Sequence, residues 1–206
     1  MSAAPTAPAK EPTTFAFSQD YLRRAEQIIA KYPPGRQASA VLPLLDLAQR
    51  QCGNWLPRAA MDYVAGILGM APIRVYEVAT FYSMFNLQPV GKWFLQICGT
   101  TPCWLRGSDD VIRTCESKLG IKMGETTADG KFTLKEVECL GACVNAPVVQ
   151  VNDDFYEDLD AASMARLIDA LAADQPPPKG SMTGRQNAAP VGGPQTLDGR
   201  APGGDD

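Results

Sequence analysis

The 206-residue sequence predicts an α+β protein in which an N-terminal helical bundle precedes a small α/β unit. Three observations predict it. From residue 15 to residue 86 apolar residues recur every three or four positions, the period of an amphipathic helix. After Pro89-Val90-Gly91 the pattern changes to short strand-like runs separated by further helical stretches. Both ends lack the large apolar side chains that a core needs. The expected divisions are an unstructured N-terminus at 1–14, the bundle at 15–88, the α/β unit at 89–175 and an unstructured Pro/Gly-rich tail at 176–206.

Each element carries its own signal. Ser18 is the expected N-cap of a first helix through Leu22, Ala25, Ile28 and Ile29, stopped by Pro33-Pro34-Gly35. A second helix puts Val41, Leu44, Leu45, Ala48 and Cys52 on one stripe and ends at Gly53. Pro57 suits the first turn of a third helix, with Met61, Val64, Ala65 and Leu68 inward. Pro72 opens a fourth, in which Val75, Val78, Ala79, Tyr82 and Phe85 keep helical spacing. With short joins, four such stripes are buried most simply against one another. In the second unit Trp93 to Cys98 (WFLQIC) reads as a strand. Ser108 is the expected cap of a helix with Val111, Ile112, Cys115 and Leu119 inward and Asp109 and Asp110 in its favourable first turn. Phe132 to Val137 (FTLKEV) alternates as a second strand, and Val148 to Val151 with Phe155-Tyr156 flank Asn152-Asp153-Asp154 as a hairpin. A last helix, from about Leu159 to Ala172, turns Met164, Leu167, Ile168 and Leu171 inward. In the tail, 13 of the 31 residues from Pro176 on are Gly or Pro and none is aromatic, too little apolar surface to offset the entropy of ordering.

Composition removes whole classes of function. No run approaches the ~20 apolar residues of a membrane span, so no direct membrane contact is expected. A net charge of -4 without a basic stripe argues against nucleic acid. The chain has no histidine, which excludes His-based acid–base catalysis, Ser-His and Cys-His nucleophiles and Rieske-type ligation. The N-terminus carries neither a secretory apolar region nor the arginines of a mitochondrial presequence. A reducing compartment is therefore expected, where structural disulfides are disfavoured and six cysteines need another explanation. No Gly-x-Gly-x-x-Gly motif or other phosphate-cradling loop is present, so the chain alone is not expected to oxidise a dinucleotide.

Four cysteines form two close pairs, Cys98-x4-Cys103 and Cys139-x3-Cys143, each after a strand and among small residues. An iron–sulfur cluster needs that arrangement: thiolates must converge on the irons, and backbone N–H groups must come close to sulfurs that carry excess negative charge. Two pairs divide naturally over the two irons of a 2Fe–2S unit. Zinc knuckles more often use shorter spacings, thioredoxin-type exchange uses Cys-x-x-Cys, which is absent, and paired disulfides conflict with the compartment. The spacing favours iron–sulfur. Cys52 and Cys115 fall on apolar helical stripes and read as small buried hydrophobes. Trp104, beside Cys103, reads either as a shield for a cluster or as core.

Three segments carry a resemblance: PIRVYEVATFYSMFN from Pro72, CGTTPC from Cys98 and ECLGACVNAPVVQVND from Glu138. In order and in cysteine spacing they resemble the thioredoxin-like 2Fe–2S subunits of proton-pumping NADH:quinone oxidoreductase, respiratory complex I. The match runs from about Phe17 to Ala172, about three-quarters of the chain. The resemblance implies a helical bundle followed by a thioredoxin-like ferredoxin domain, with one 2Fe–2S cluster on Cys98, Cys103, Cys139 and Cys143. It aligns Ala146-Pro147 with a proline that is often cis. It implies a partner subunit that binds FMN and NADH, other peripheral-arm subunits, and a peripheral place on the cytoplasmic side of a bacterial inner membrane. In that family the cluster exchanges an electron with the flavin but lies off the main series of clusters toward quinone. Equivalent subunits of soluble NAD-linked formate dehydrogenases and bidirectional hydrogenases share the pattern and are the nearest alternative. A zinc-stabilised scaffold without a redox role is the alternative from another class.

Overall fold

The computed structural model describes residues 11–185 and Ala188. The chain divides into two compact units, Met1–Val90 and Gly91–Asp206. Among the described residues no helix is long and apolar enough to cross a membrane.

The first unit is built from α1 (Gln19–Ile29), α2 (Val41–Gln51), α3 (Arg58–Leu68) and α4 (Pro72–Phe81), with a 3-10 turn at Gln37–Ala40 leading into α2. Ser18 caps α1 by accepting the Tyr21 N–H. The stripes meet in one core in which Ala25, Leu44, Leu45, Ala48, Ala60, Val64, Ala65, Val75 and Ala79 are all buried. Cys52 packs against it half-buried, one residue past α2, rather than on the helical stripe. The fourth helix ends earlier than its spacing predicts. Tyr82 is extended and partly exposed, and Phe85 reaches the core from a loop. The cause is Gln49, a buried amide on α2 that donates to the Met84 carbonyl at 3.1 Å and accepts the Asn86 N–H at 2.7 Å. A buried amide satisfied on both sides holds this loop in place of a further helical turn. At the other end of the unit, the Glu11 carboxylate accepts the Arg58 N–H at the start of α3, 2.7 Å away. Glu11 thus has a partner within the stretch expected to be unstructured; residues 1–10 lie outside the described residues.

The second unit is a five-stranded sheet of order β2-β1-β3-β4-β5, from β1 (Trp93–Cys98), β2 (Phe132–Val137), β3 (Val149–Val151), β4 (Asp154–Glu157) and β5 (Gly180–Ser181). β1 runs parallel to β2 and antiparallel to β3; β4 pairs antiparallel with β3 and parallel with β5. Alternation decides the faces. Leu95, Ile97, Leu134, Val149, Val151 and Tyr156 pack with α6 (Ser108–Leu119) and α7 (Ala161–Ala172) in one core that includes Val111, Cys115, Met164 and Leu167. At Gly91, entering β1, an added Cβ would lie 2.8 Å from the Phe132 backbone carbon, so only glycine lets the chain pass this close to β2.

Three elements differ from expectation. A short helix α5 (Thr101–Leu105) precedes α6. The cap of α6 is Gly107 at φ +94°, and Ser108 is the first helical residue, its hydroxyl buried without a hydrogen-bond partner. With only Arg106 and Gly107 between the two helices, the chain reverses through a left-handed residue that glycine adopts at least cost. The third difference is the tail. Residues 177–185 lie along β4 and form β5, because backbone groups rather than apolar side chains hold them: the Met182 N–H donates to the Glu157 carbonyl at 2.9 Å. Beyond Arg185 the tail lies outside the described residues, Ala188 excepted.

α7 opens with a reciprocal cap: Asp160 accepts the Ser163 N–H at 2.6 Å and the Ser163 hydroxyl accepts the Asp160 N–H at 2.8 Å. The Ser163 hydroxyl and then its N–H hold the Asp160 carboxyl below the usual carboxylate range. A lowered folded value means stabilisation that is complete above the unfolded carboxyl value near ~3.9 and lost as pH falls through the folded one. Asp160→Ala should therefore lower stability by about 1 kcal/mol at neutral pH, read as a lower urea midpoint. The difference should shrink toward about pH 2; an undiminished cost there would mean the charge has no part in the cap.

Candidate metal centre

The parallel pair β1 and β2 ends in register, Cys98 opposite Val137, so the chain leaves both strands at the same end of the sheet. The loop after β1 carries Cys98 at its root and Cys103 in α5. The loop after β2 carries Cys139 and Cys143, the latter opening a 3-10 turn at Cys143–Asn145. The loops are stitched to the sheet: the Cys98 N–H donates to the Val148 carbonyl at 3.2 Å and the Gly99 N–H to the Val137 carbonyl at 3.2 Å. Cys98 and Cys103 are buried with Ala146 and Val148 in a small apolar cluster on which Leu140, Ala142 and Phe155 pack. Cys139 and Cys143 are exposed, with their sulfurs 3.3 Å apart. The centre is therefore asymmetric, one thiol pair inside and one facing out. The Ala146-Pro147 peptide between the second pair and β3 is cis.

The electrostatics favour the thiolate at Cys98 and the protonated thiol at Cys103 and Cys143. Burial raises the Cys98 thiol, but the polar groups beside it, the Thr100 hydroxyl first and then the Thr100 and Leu140 backbones and the Cys103 thiol, outweigh the rise and leave it below its ordinary value. The Cys98 thiol donates to Thr100 Oγ1 at 3.6 Å. Cys103 is pushed up to about 12, by burial first and then by its bond to Cys98, while the Val148 N–H opposes the rise. Cys143 is raised by its bond to Cys139 and then by burial. The sulfurs of Cys139 and Cys143 share a hydrogen bond, and binding of a cation by thiolates displaces such protons. Leu140 and Val148 reach from the second loop to the first pair, and Cys143 is close enough to feel the charge of both Cys98 and Cys103. Gly141 sits at φ +84° and points its N–H at Cys139 Sγ, 3.4 Å away, a conformation a side chain would strain. Among the described residues no three or more His, Cys, Asp or Glu side chains gather as a site for one metal ion; the thiols stand as two pairs.

All four sequence-predicted cysteines therefore lie at one end of the sheet, and the other two do not. Cys52 packs in the helical unit, and Cys115 is fully buried on the inner face of α6, its thiol pushed up to about 12 by burial. Trp104 is neither core nor fully covered: it is 56% exposed, as are its neighbour Leu105 (71%) and Val144 beside Cys143 (64%). Sequence reasoning missed the backbone donors of Leu140 and Val148, which no residue type announces.

A small α/β sheet that presents paired thiols on the loops at its strand ends has the make-up of an iron–sulfur protein. The chain belongs to the thioredoxin-like [2Fe-2S] ferredoxin family, whose model matches residues 25–172. It is 64% identical over 162 residues to an NADH-quinone oxidoreductase subunit of Rickettsia conorii, covering 79% of this chain and 97% of that one. It is 55% identical over 187 residues to the mitochondrial NADH dehydrogenase [ubiquinone] flavoprotein 2 of Dictyostelium discoideum, covering 91% of this chain and 76% of that one. Among solved structures it shares its fold with a chain of an NAD+-reducing [NiFe]-hydrogenase in the air-oxidized state, at a TM-score of 0.57 and 22% identity, over 65% of this chain and 23% of that one.

Proposed function

We propose that Cys98, Cys103, Cys139 and Cys143 hold one 2Fe–2S cluster and that the chain is an electron-transfer subunit of NADH:quinone oxidoreductase. The observation that supports this reading is that the loops leaving β1 and β2 at their common end carry one thiol pair each, in a chain 64% identical over 162 residues to the rickettsial oxidoreductase subunit. Bound there, the cluster supplies reversible one-electron chemistry. The residues of this chain do the rest. The Gly141 N–H, aimed at Cys139 Sγ, would offset negative charge on the outer pair, and the polar groups of Thr100, Leu140 and Val148 would favour charge on the inner one. Burial of Cys98 and Cys103 keeps water from the inner pair. Exposure of Cys139 and Cys143 leaves one side open for electron exchange.

Trp104, Leu105 and Val144 beside that open side suit burial against a partner. The partner in this reading is a subunit that carries FMN and NADH, and the assembly lies on the cytoplasmic face of a bacterial inner membrane. NADH gives up two electrons together, and a one-electron site next to the flavin accepts one of them. The test is EPR with iron and sulfide analysis on the purified full chain, before and after dithionite. A signal that appears only on reduction, with about two irons per chain, is the expected result. A colourless zinc-loaded chain that reconstitution with iron and sulfide cannot convert would replace this reading with a scaffold.

A further inference from the structure

The residues from Pro177 to Arg185 form a strap that is fixed along its length and ends on the second thiol loop. The Pro177 carbonyl accepts from the Tyr156 hydroxyl at 3.2 Å, Lys179 pairs with Asp154 at 2.8 Å, and Gly180 and Ser181 pair with Tyr156 and Glu157 as β5. The strap then closes on Asp158. This carboxylate accepts from the Ser181 hydroxyl at 2.6 Å and from Arg185 Nη1 at 3.2 Å. The ion pair is shielded, with side chains 9% and 20% exposed, unlike the surface pairs elsewhere in the unit. Asp158 also faces the other way: at φ +54° its N–H donates to the Asn145 carbonyl at 2.7 Å. Arg185 Nη1 reaches the Val144 carbonyl at 3.4 Å. One guanidinium and one carboxylate-bearing residue therefore grip two consecutive peptide units immediately after Cys143.

We propose that this strap positions the second thiol pair for the cluster, with Arg185 as the positioning residue that holds the Cys143 loop through Val144 and Asp158. The proposal rests on the ligand assignment above. Two effects follow. Fixing the carbonyls after Cys143 fixes the direction of its thiolate, as outer-shell partners do for metal ligands. A guanidinium one residue from a ligand also favours the more negative, reduced form of a neighbouring cluster.

The experiment uses the full chain loaded with iron and sulfide, its Arg185→Gln and Arg185→Lys forms, and a chain that stops after Gln175. Arg185→Gln should move the oxidised-to-reduced ratio at a fixed applied potential about threefold toward oxidised, ~28 mV at 59 mV per tenfold. It should speed iron loss to a chelator roughly tenfold. Arg185→Lys should restore most of the potential, which follows charge, and less of the retention, which follows the planar fork. In the metal-free chains, amide exchange across 142–146 should quicken in Arg185→Gln and in the shortened chain. A general loss of stability would not move the potential. Unchanged potential, retention and exchange in Arg185→Gln and the shortened chain would overturn the proposal. If the parent chain takes up no iron, the ligand assignment fails, and the metal-free exchange comparison still decides the strap.

Discussion

In the Cys98→Ala chain the reduced-state EPR signal should disappear, and iron should fall from about two per chain to a small residue. Cys98 is the most strongly supported of the four thiols: it ends an interior strand, it is 2% exposed, and its polar surroundings hold its thiol below the ordinary value. Among the described residues no spare thiol stands ready to replace it. Cys115 belongs to the core beneath α6, and Cys52 to the helical unit. The substitution removes one buried sulfur and leaves the strand's backbone pairing intact, so the far-ultraviolet circular dichroism should be that of the parent. Cys52→Ala is the control and should keep both iron and signal. A Cys98→Ala chain that retains two irons and an unchanged reduced spectrum would remove Cys98 from the ligand set.

Leu95→Ala should produce the largest loss of stability, about 3 kcal/mol. Leu95 is fully buried on β1, an interior strand, with Leu134 of β2 opposite it on one side and Val151 of β3 on the other. Its side chain lies in the same core as α6 and α7. Held by neighbours on both strands, the surroundings can collapse only slightly into the space left by three missing carbons, so transfer and cavity costs add. The denaturant midpoint of the α/β unit should fall accordingly, measured by the near-ultraviolet signal of its aromatic residues. Leu22, partly exposed on α1, supplies the contrast, and Leu22→Ala should cost well under half as much. Equal losses at the two positions would mean that the sheet core is not where the α/β unit gains its stability.

How far the sequence could be read depended on whether a feature was local. β1 and β2 were legible to the residue, β1 as a short apolar run leading into a cysteine loop and β2 from its alternation. The bundle helices were legible from their stripes and from Pro57 and Pro72. The end of α4 was not, since the amide that stops it sits 35 residues away on α2. α5 was hidden because a single turn offers no period to detect. The cysteine pairs were visible as pairs, but their environment was not: Leu140 is an ordinary apolar residue that packs on the cluster burying Cys98 and Cys103.

By itself the sequence determined the class of fold, the two thiol pairs and the absence of histidine chemistry, because composition, period and spacing are properties of neighbours along the chain. Only the tertiary structure decided which pair is buried and which is open. The same holds for Trp104, which projects outward, and for residues 177–185, which run back through Asp158 and Arg185 to the Cys143 loop. Such features depend on groups brought together across 27 and 41 residues of chain. Their bonds are made by backbone carbonyls and by common charged side chains, which give no pattern in sequence until folding places them side by side.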